Sequence, residues 1–345
     1  MKRRIIPGVL LILILAASFT GYKVFGPAVS DSTGKYFYIR TGENMDTLSA
    51  HLVADTFISN NTWFKRVAGW LNFKKVKPGR YELKNGMSLY KLVRVLRAGE
   101  QKPVKMVIVK ERTRENFAGK MGKKFDTECD SLRMIRFLNS KDSLQPYGLD
   151  TNTVMSVILP FTYEIKWNST PGKMIEQFQV SFKKFWNAER TQKAARLNLT
   201  PLQATILASI VEEETTRKAD KYNIASTYLN RLKIRMKLQA CPTAKFVSRD
   251  FQLGRITEKQ TSLVSPYNTY LNEGLPPGPI CTPSIESIEA VLDAPSTGYL
   301  YFVASDKFDG STVFTSNYED HMKYARLFQA EQKRRSDSLK KIRGK

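Results

Sequence analysis

Cysteine and histidine are scarce in this 345-residue chain, and acidic residues are heavily outnumbered. The three cysteines, Cys129, Cys241 and Cys281, stand far apart, and only His51 and His321 could assist them. That spacing does not suit a zinc cluster, so neither a metal nor another cofactor is expected. In an oxidising compartment Cys241 could bridge to Cys281; the alternative is that the cysteines are separate small buried residues. Internal repeats and low-complexity tracts are absent as well. With 42% hydrophobic and 25% charged residues the composition is ordinary for a globular protein and excludes a wholly disordered chain. The imbalance is in the sign of the charge. Lys+Arg number 55 against 32 Asp+Glu, a formal net charge of +23, which favours polyanionic partners: nucleic acid, anionic lipid headgroups or acidic cell-wall polymer.

The N-terminus narrows that choice. Met1-Lys2-Arg3-Arg4 precedes an uncharged, mostly apolar run from Ile5 to Tyr22, closed by Lys23. The run is near the lower limit of roughly 17–25 residues for a spanning helix and longer than the apolar region of a typical secretory signal. An uncleaved anchor over residues 1–23 is therefore expected, with cleavage after Ala16, Ala17 or Ser18 as the alternative. Basic residues ahead of the span place the N-terminus in the cytoplasm and everything after Lys23 outside. Intracellular nucleic acid is then excluded as a partner, and membrane lipid is included through the helix.

A linker is expected over 24–35. Strand-like Tyr36-Phe37-Tyr38-Ile39 opens a small α+β module over 36–102. It contains a helix from Met45 to Ala54, a second from Trp63 to Leu71, a strand after Pro78-Gly79, and a helix capped by Ser88. A connecting subdomain over 103–170 begins with the strand Val104–Val109. One long helix is expected from Pro171 to Leu197, its Phe178, Phe182, Phe185 and Trp186 read as core packing. A mixed catalytic domain spans 171–330, and a polar basic tail, 331–345, is expected to be solvated.

The best local signal is Thr200-Pro201-Leu202-Gln203, which combines an N-cap, a proline at the first helical position and a glutamine suited to a reciprocal capping box. The helix continues as Ala204–Val211, apolar over most of its circumference, and ends in Glu212-Glu213-Glu214. Three carboxylates at a helix C-terminus oppose the macrodipole by about 0.3–1 kcal/mol each, so local stability would not select them. On a helical wheel Glu214 aligns with Leu207, Ile210 and Val211. Glu212 shares a face with Ala208, Thr205 and Thr216, and Glu213 lies near Leu202 and Ser209. A carboxyl beside apolar surface has a raised pKa and can serve as a general acid; the alternative is a solvated helix end.

Leu207-Ala208-Ser209-Ile210-Val211-Glu212-Glu213-Glu214-Thr215 resembles the Ile-Val-Glu-x-Glu-Thr segment of the YceG-like (MltG) endolytic murein transglycosylase family. Further blocks of that family follow in order: Tyr228-Leu229-Asn230-Arg231-Leu232, Met236–Thr243, Ser265-Pro266-Tyr267-Asn268-Thr269-Tyr270, Gly274–Ile280 and Leu300–Ala304. The match is close from Pro171 to about Phe328 and weaker back to Tyr36. The resemblance implies an α+β fold with a transmembrane helix, a LysM-like module at 36–102, the connecting subdomain and a YceG-like mixed α/β catalytic domain. It implies a single-pass inner-membrane protein facing the periplasm that cleaves the MurNAc–GlcNAc β-1,4 bond of nascent peptidoglycan strands and leaves 1,6-anhydro ends. It gives Glu212 the acid and base role and Glu214 a supporting one. Gln239, Tyr267 and Asn268 suit sugar binding, although Tyr267 and Asn268 could equally hold a turn. Cell-wall synthases are candidate partners. A non-catalytic peptidoglycan-binding scaffold and a cell-wall glycoside hydrolase remain the competing readings. The chain also departs from the family: Met155 and Ser156 replace a Glu-Gly pair, and Phe161 and Cys241 replace aspartates.

Overall fold

The structure, a computed structural model, describes residues 2–30, 36–125 and 129–343. It divides into two compact units. The first comprises Met1–Met106, Met121–Asp130 and Tyr163–Thr170; the second comprises Val107–Lys120, Ser131–Thr162 and Pro171–Lys345. The segment 103–170, expected to form a subdomain of its own, is thus shared between the two.

In the first unit, helix α1 (Lys2–Phe25) contains the apolar stretch Gly8–Phe25, long and apolar enough to cross a membrane. Strand β1 (Tyr36–Ile39), helices α2 (Met45–Ala54) and α3 (Thr62–Trp70) and strand β2 (Gly79–Glu82) follow in βααβ order, with β1 antiparallel to β2 and Tyr36 opposite Glu82. Alternation sends Phe37 and Ile39 into the core and leaves Tyr38 outside. Asn44 closes the start of α2 with a reciprocal capping box through Thr47. Ser88 caps α4 (Leu89–Ala98), and Gly99 ends it at φ 77, a left-handed position that suits glycine. The core runs through Phe37, Leu48, Leu52, Phe64, Tyr81, Leu92 and Leu96, and it includes Val24 and Val29. The expected linker is therefore corrected in part: α1 extends to Phe25, and Val24 and Val29 are packed into the module, while residues 31–35 lie outside the described residues. Strand β3 (Val104–Val107) pairs with β4 (Thr162–Ile165).

The second unit is mainly helical. Between β3 and β4 the chain forms α5 (Arg114–Phe125), α6 (Ser131–Leu138) and the single turn α7 (Lys141–Leu144). The stretch expected as one helix from Pro171 to Leu197 is two, α8 (Pro171–Phe185) and α9 (Ala188–Arg196). Asn187 adopts an extended conformation between them and caps α9 by accepting from the Arg190 N–H, which ends one helix and starts the next. Phe178, Phe185 and Trp186 are buried as core, in agreement with their spacing. Next come α10 (Pro201–Glu214), α11 (Lys218–Lys233), α12 (Cys241–Ser248), the short α13 (Glu258–Thr261) and α14 (Ile285–Leu292). Leu207, Ile210, Val211, Ile224, Tyr228, Ile288 and Val291 from α10, α11 and α14 share one core. Strands β5 (Tyr301–Ala304) and β6 (Thr312–Thr315) form an antiparallel pair. The expected basic tail is exposed over residues 332–338 and forms the second half of α15 (Tyr318–Arg343), where Glu331 pairs with Arg334 and Arg335 one turn later.

Candidate active site

Helix α10 starts where the capping residues require: the Thr200 side chain accepts from Gln203 N–H, and the Gln203 side chain accepts from Thr200 N–H. Ala204 to Val211 are all buried. The helix stops at Glu214, because Thr215 turns extended at φ −152 and ψ 151. The three carboxylates therefore emerge at the last turn, about 100° apart, and meet three different surroundings.

Glu212 is held by α14 and α11. Its Oε2 accepts from the hydroxyls of Ser284 and Ser287 at 2.5 Å each, from Ser284 N–H at 3.3 Å and from Lys221 Nζ at 3.3 Å. Ser284 is the N-cap of α14, so the carboxylate also faces the positive end of a helix. Burial alone would raise its pKa; the Ser284 and Ser287 hydrogen bonds and the Lys221 charge outweigh it and leave the pKa lowered. Lys221 is only 5% exposed and also reaches Glu286 at 3.0 Å. Glu213 turns to the segment after β3, where Arg112 grips it through Nε at 3.1 Å and Nη2 at 2.9 Å and Lys110 adds a contact at 3.1 Å.

Glu214 is the carboxylate without a cationic partner in contact. Its Oε1 accepts from the Tyr228 hydroxyl at 2.5 Å. Burial pushes its pKa up to about 7, partly opposed by Tyr228, Arg231 and Lys245. It lines a cavity of ≈ 310 Å³ together with Glu213, Arg112, Cys241, Lys245, Phe246 and Phe251. A second cavity of ≈ 200 Å³ shares Arg112 and Phe246 with the first and continues to Arg114, Asn152, Arg249 and Tyr267. The two, joined at Arg112 and Phe246, make a groove with four basic side chains, three aromatic rings and one carboxyl whose pKa lies near neutrality.

Glu214, on the apolar face of the wheel, lines the cavity, and Glu212 lines neither of the two. Of the expected sugar contacts, Tyr267 lines the groove, stacks near Phe246 with ring centroids 5.0 Å apart, and donates to Asn152 Oδ1 at 3.3 Å. Gln239 is exposed and lines neither cavity; its backbone sits at φ 46 with its N–H donating to Thr269 O. Asn268 is corrected outright. It is fully buried, its Nδ2 donates to the carbonyls of Thr261 and Leu263, and its Oδ1 accepts from Tyr270 N–H, so it holds the turn and its burial closes it off from sugar. Asn230 and Arg231 are also structural, tying α11 to the carbonyls of Thr297, Tyr299 and Leu300. Cys241 and Cys281 are both free; Cys281 is buried with its thiol donating to Ser209 O, while Cys241 is exposed, 3.2 Å from the Tyr270 hydroxyl. Sequence reasoning missed Arg112, Tyr228, Lys245 and Arg249. Only the basic alternation Lys110-Glu111-Arg112-Thr113-Arg114 directly after a strand could have drawn attention to the first of them.

The profile of the YceG-like family matches residues 37–327. The chain belongs to the YceG-like family. It is 29% identical over 342 residues to the endolytic murein transglycosylase of Bacillus subtilis strain 168, covering 90% of each chain. It is 26% identical to the protein of the same name from Streptococcus pneumoniae strain D39, covering 91% of this chain and 62% of that one. The crystal structure of a YceG-like protein from Listeria monocytogenes superposes with a TM-score of 0.50 at 26% identity, over 85% of this chain and 99% of that one. In this YceG-like protein several of the ordered sequence blocks meet at one groove: Glu213 and Glu214 of the acidic triplet, Cys241 and Pro242, and Ser265 and Tyr267 all line it.

Proposed function

We propose that this YceG-like protein is an endolytic murein transglycosylase in which Glu214 transfers the proton. The carrying observation is that, of the three carboxylates ending α10, Glu214 alone combines a pKa of about 7 with a place in the open groove. A general acid needs a pKa near the operating pH and access to the glycosidic oxygen. Glu212 has a lowered pKa and is tied to two serines and a lysine, which suits a positioning role, fixing Lys221 and the start of α14. The motif-based assignment of acid to Glu212 and support to Glu214 is accordingly reversed in this reading.

In the reaction, protonated Glu214 gives its proton to the oxygen joining MurNAc to GlcNAc as the C1–O bond breaks. The substrate's own N-acetyl group stabilises the positive charge at C1. The Glu214 carboxylate then takes the proton of the MurNAc C6 hydroxyl, whose oxygen bonds to C1 and closes the 1,6-anhydro ring. One carboxyl is consumed and regenerated, and no water is added. Hydrolases commonly use a second free carboxylate; Glu213 is engaged by Arg112 and Lys110, and Glu212 by Ser284, Ser287 and Lys221. Tyr267 offers a ring and a hydroxyl to saccharide, and Arg112, Arg114, Arg249 and Lys245 suit the carboxylates of peptide-bearing strands. The βααβ module over 36–102 is read as LysM-like, and α1 as a single-pass anchor that leaves the groove outside the cytoplasmic membrane.

Digestion of purified glycan strands followed by mass spectrometry of the ends tests this. Chains shortened internally and carrying anhydro ends are expected. Reducing ends bearing an added water would make the protein a hydrolase, and intact strands would leave it a scaffold.

A further inference from the structure

The first unit carries an apolar groove beside the end of α1 that the proposed reaction does not use. It has a volume of ≈ 260 Å³ and is lined by Gly21, Val24 and Phe25 of α1 and by Val67, Trp70 and Tyr90 of α3 and α4. Around it lie side chains unusual for a surface in water: Trp70 is 61% exposed, Phe25 66% and Tyr22 63%. On α3, Trp63, Arg66 and Trp70 fall at positions i, i+3 and i+7 and share a face distinct from the buried Phe64, Val67 and Ala68. The Arg66 guanidinium lies 4.9 Å over the Trp63 ring, and Arg94 lies 5.8 Å from the Tyr90 ring.

Depth along α1 decides what this face meets. The Trp63 ring packs on Phe19 at 6.2 Å between centroids, and Tyr90 packs on Phe25 at 5.3 Å. Phe19 lies six residues before Phe25, about 9 Å deeper at 1.5 Å per residue. Both belong to the apolar stretch Gly8–Phe25. Because Val24 and Val29 are part of the module core, α3 is fixed to the helix end and cannot be carried away from the bilayer by a flexible tether. A helix held beside the last 9 Å of a span lies at the acyl–headgroup boundary, where amphipathic helices bury about 5–10 Å. Tryptophan and tyrosine favour that level, and arginine extends from it to the phosphates.

We propose that α3 and the start of α4 are seated in the bilayer interface on the C-terminal side of the span, and that the groove takes an acyl chain of a phospholipid whose phosphate meets Arg66 and Arg94. The proposal rests on α1 being a membrane anchor. It makes the first module a membrane-embedded foot with a fixed height above the lipid.

The test uses full-length protein carrying Trp167→Phe and Trp186→Phe, so that only Trp63 and Trp70 emit, reconstituted into vesicles of phosphatidylethanolamine and phosphatidylglycerol with or without bromine on the acyl chains. Blue-shifted emission and loss of most of it to brominated lipid are expected, in protein that floats with the vesicles. Should the double variant misfold, the four-tryptophan protein and its Trp63→Phe/Trp70→Phe variant give the same answer by difference: the quenchable part must disappear with those two rings. Protein that floats yet keeps its emission overturns the proposal and leaves the anchor standing. Protein that does not float removes the anchor, and the proposal with it.

Discussion

Single carboxyl groups separate the two assignments of the acid, because Glu212 and Glu214 differ in what their removal leaves behind. Glu214→Gln keeps an amide oxygen for the Tyr228 hydroxyl and removes a buried charge, so the variant should be folded and without turnover. The sign of its pH effect follows from a folded pKa of about 7 against an unfolded value of about 4.3. Between those values the folded protein binds more protons than the unfolded one, and stability falls as pH rises through that window. Glu214→Gln should remove the slope and be at least as stable as the native protein at pH 8 in urea titrations. Turnover of the native enzyme should decline on the alkaline side of about pH 7, as the protonated fraction of Glu214 falls. Glu212 behaves oppositely. Its lowered folded pKa contributes stability that is present above the unfolded value and lost as pH falls below it. Glu212→Gln leaves the buried Lys221 ammonium with Glu286 as its remaining carboxylate in contact and should cost about 2–3 kcal/mol of stability. Should Glu212→Gln be folded and without turnover while Glu214→Gln keeps near-normal turnover, the reversal proposed here is wrong.

At the scale of elements, the loop Gly274–Ile280 shows how the groove is held. Ile280 N–H donates to the Ser209 hydroxyl of α10 at 3.1 Å, which fixes the loop's end to the helix that carries Glu214. At Gly278 a Cβ would overlap the Asn152 carbonyl and crowd the Tyr267 hydroxyl, so glycine is needed for close approach. Gly278→Ala should cost about 1–3 kcal/mol by overpacking and impair cleavage through Asn152 and Tyr267, measurable as a lowered urea midpoint together with a raised KM on glycan strands. The elements were largely legible in sequence where the signal is local. Thr200-Pro201-Leu202-Gln203 announced α10, Ser88 announced α4, and the βααβ order followed from alternation and turn residues. Three things were not legible, each for lack of a local signal. A single extended residue, Asn187, divides α8 from α9 inside an otherwise continuous helical pattern. Val24 and Val29 look like linker residues until Gly86 and Met87 hydrogen-bond to Val29 and both valines join the module core. Which carboxylate faces the groove depends on Lys221, Ser284 and Ser287, up to 75 positions away, and a wheel drawn for α10 knows only that helix's own faces.

For the whole molecule, the distribution of the +23 charge raises an apparent conflict with the topology, since basic residues are abundant on the side of the span read as external. The conflict dissolves once the range of the positive-inside rule is applied: it counts lysine and arginine in short loops and near the ends of the span, whereas long domains translocate largely regardless of charge. Directly beside the span Lys2, Arg3 and Arg4 stand against Lys23, with Lys35 and Arg40 farther out, and the cluster ahead of the span is the denser. The remaining positive charge is then available to an acidic wall polymer and to anionic lipid. A reporter enzyme active only in the cytoplasm, fused after Lys345, should therefore be silent, and one active only outside should work. Changing Lys2, Arg3 and Arg4 to glutamate leaves Lys23 as the nearest basic residue and should move a measurable fraction of molecules to the opposite orientation, lighting the cytoplasmic reporter. If that reporter is strongly active in the unmodified protein, the groove faces the cytoplasm, and a peptidoglycan substrate is ruled out for it.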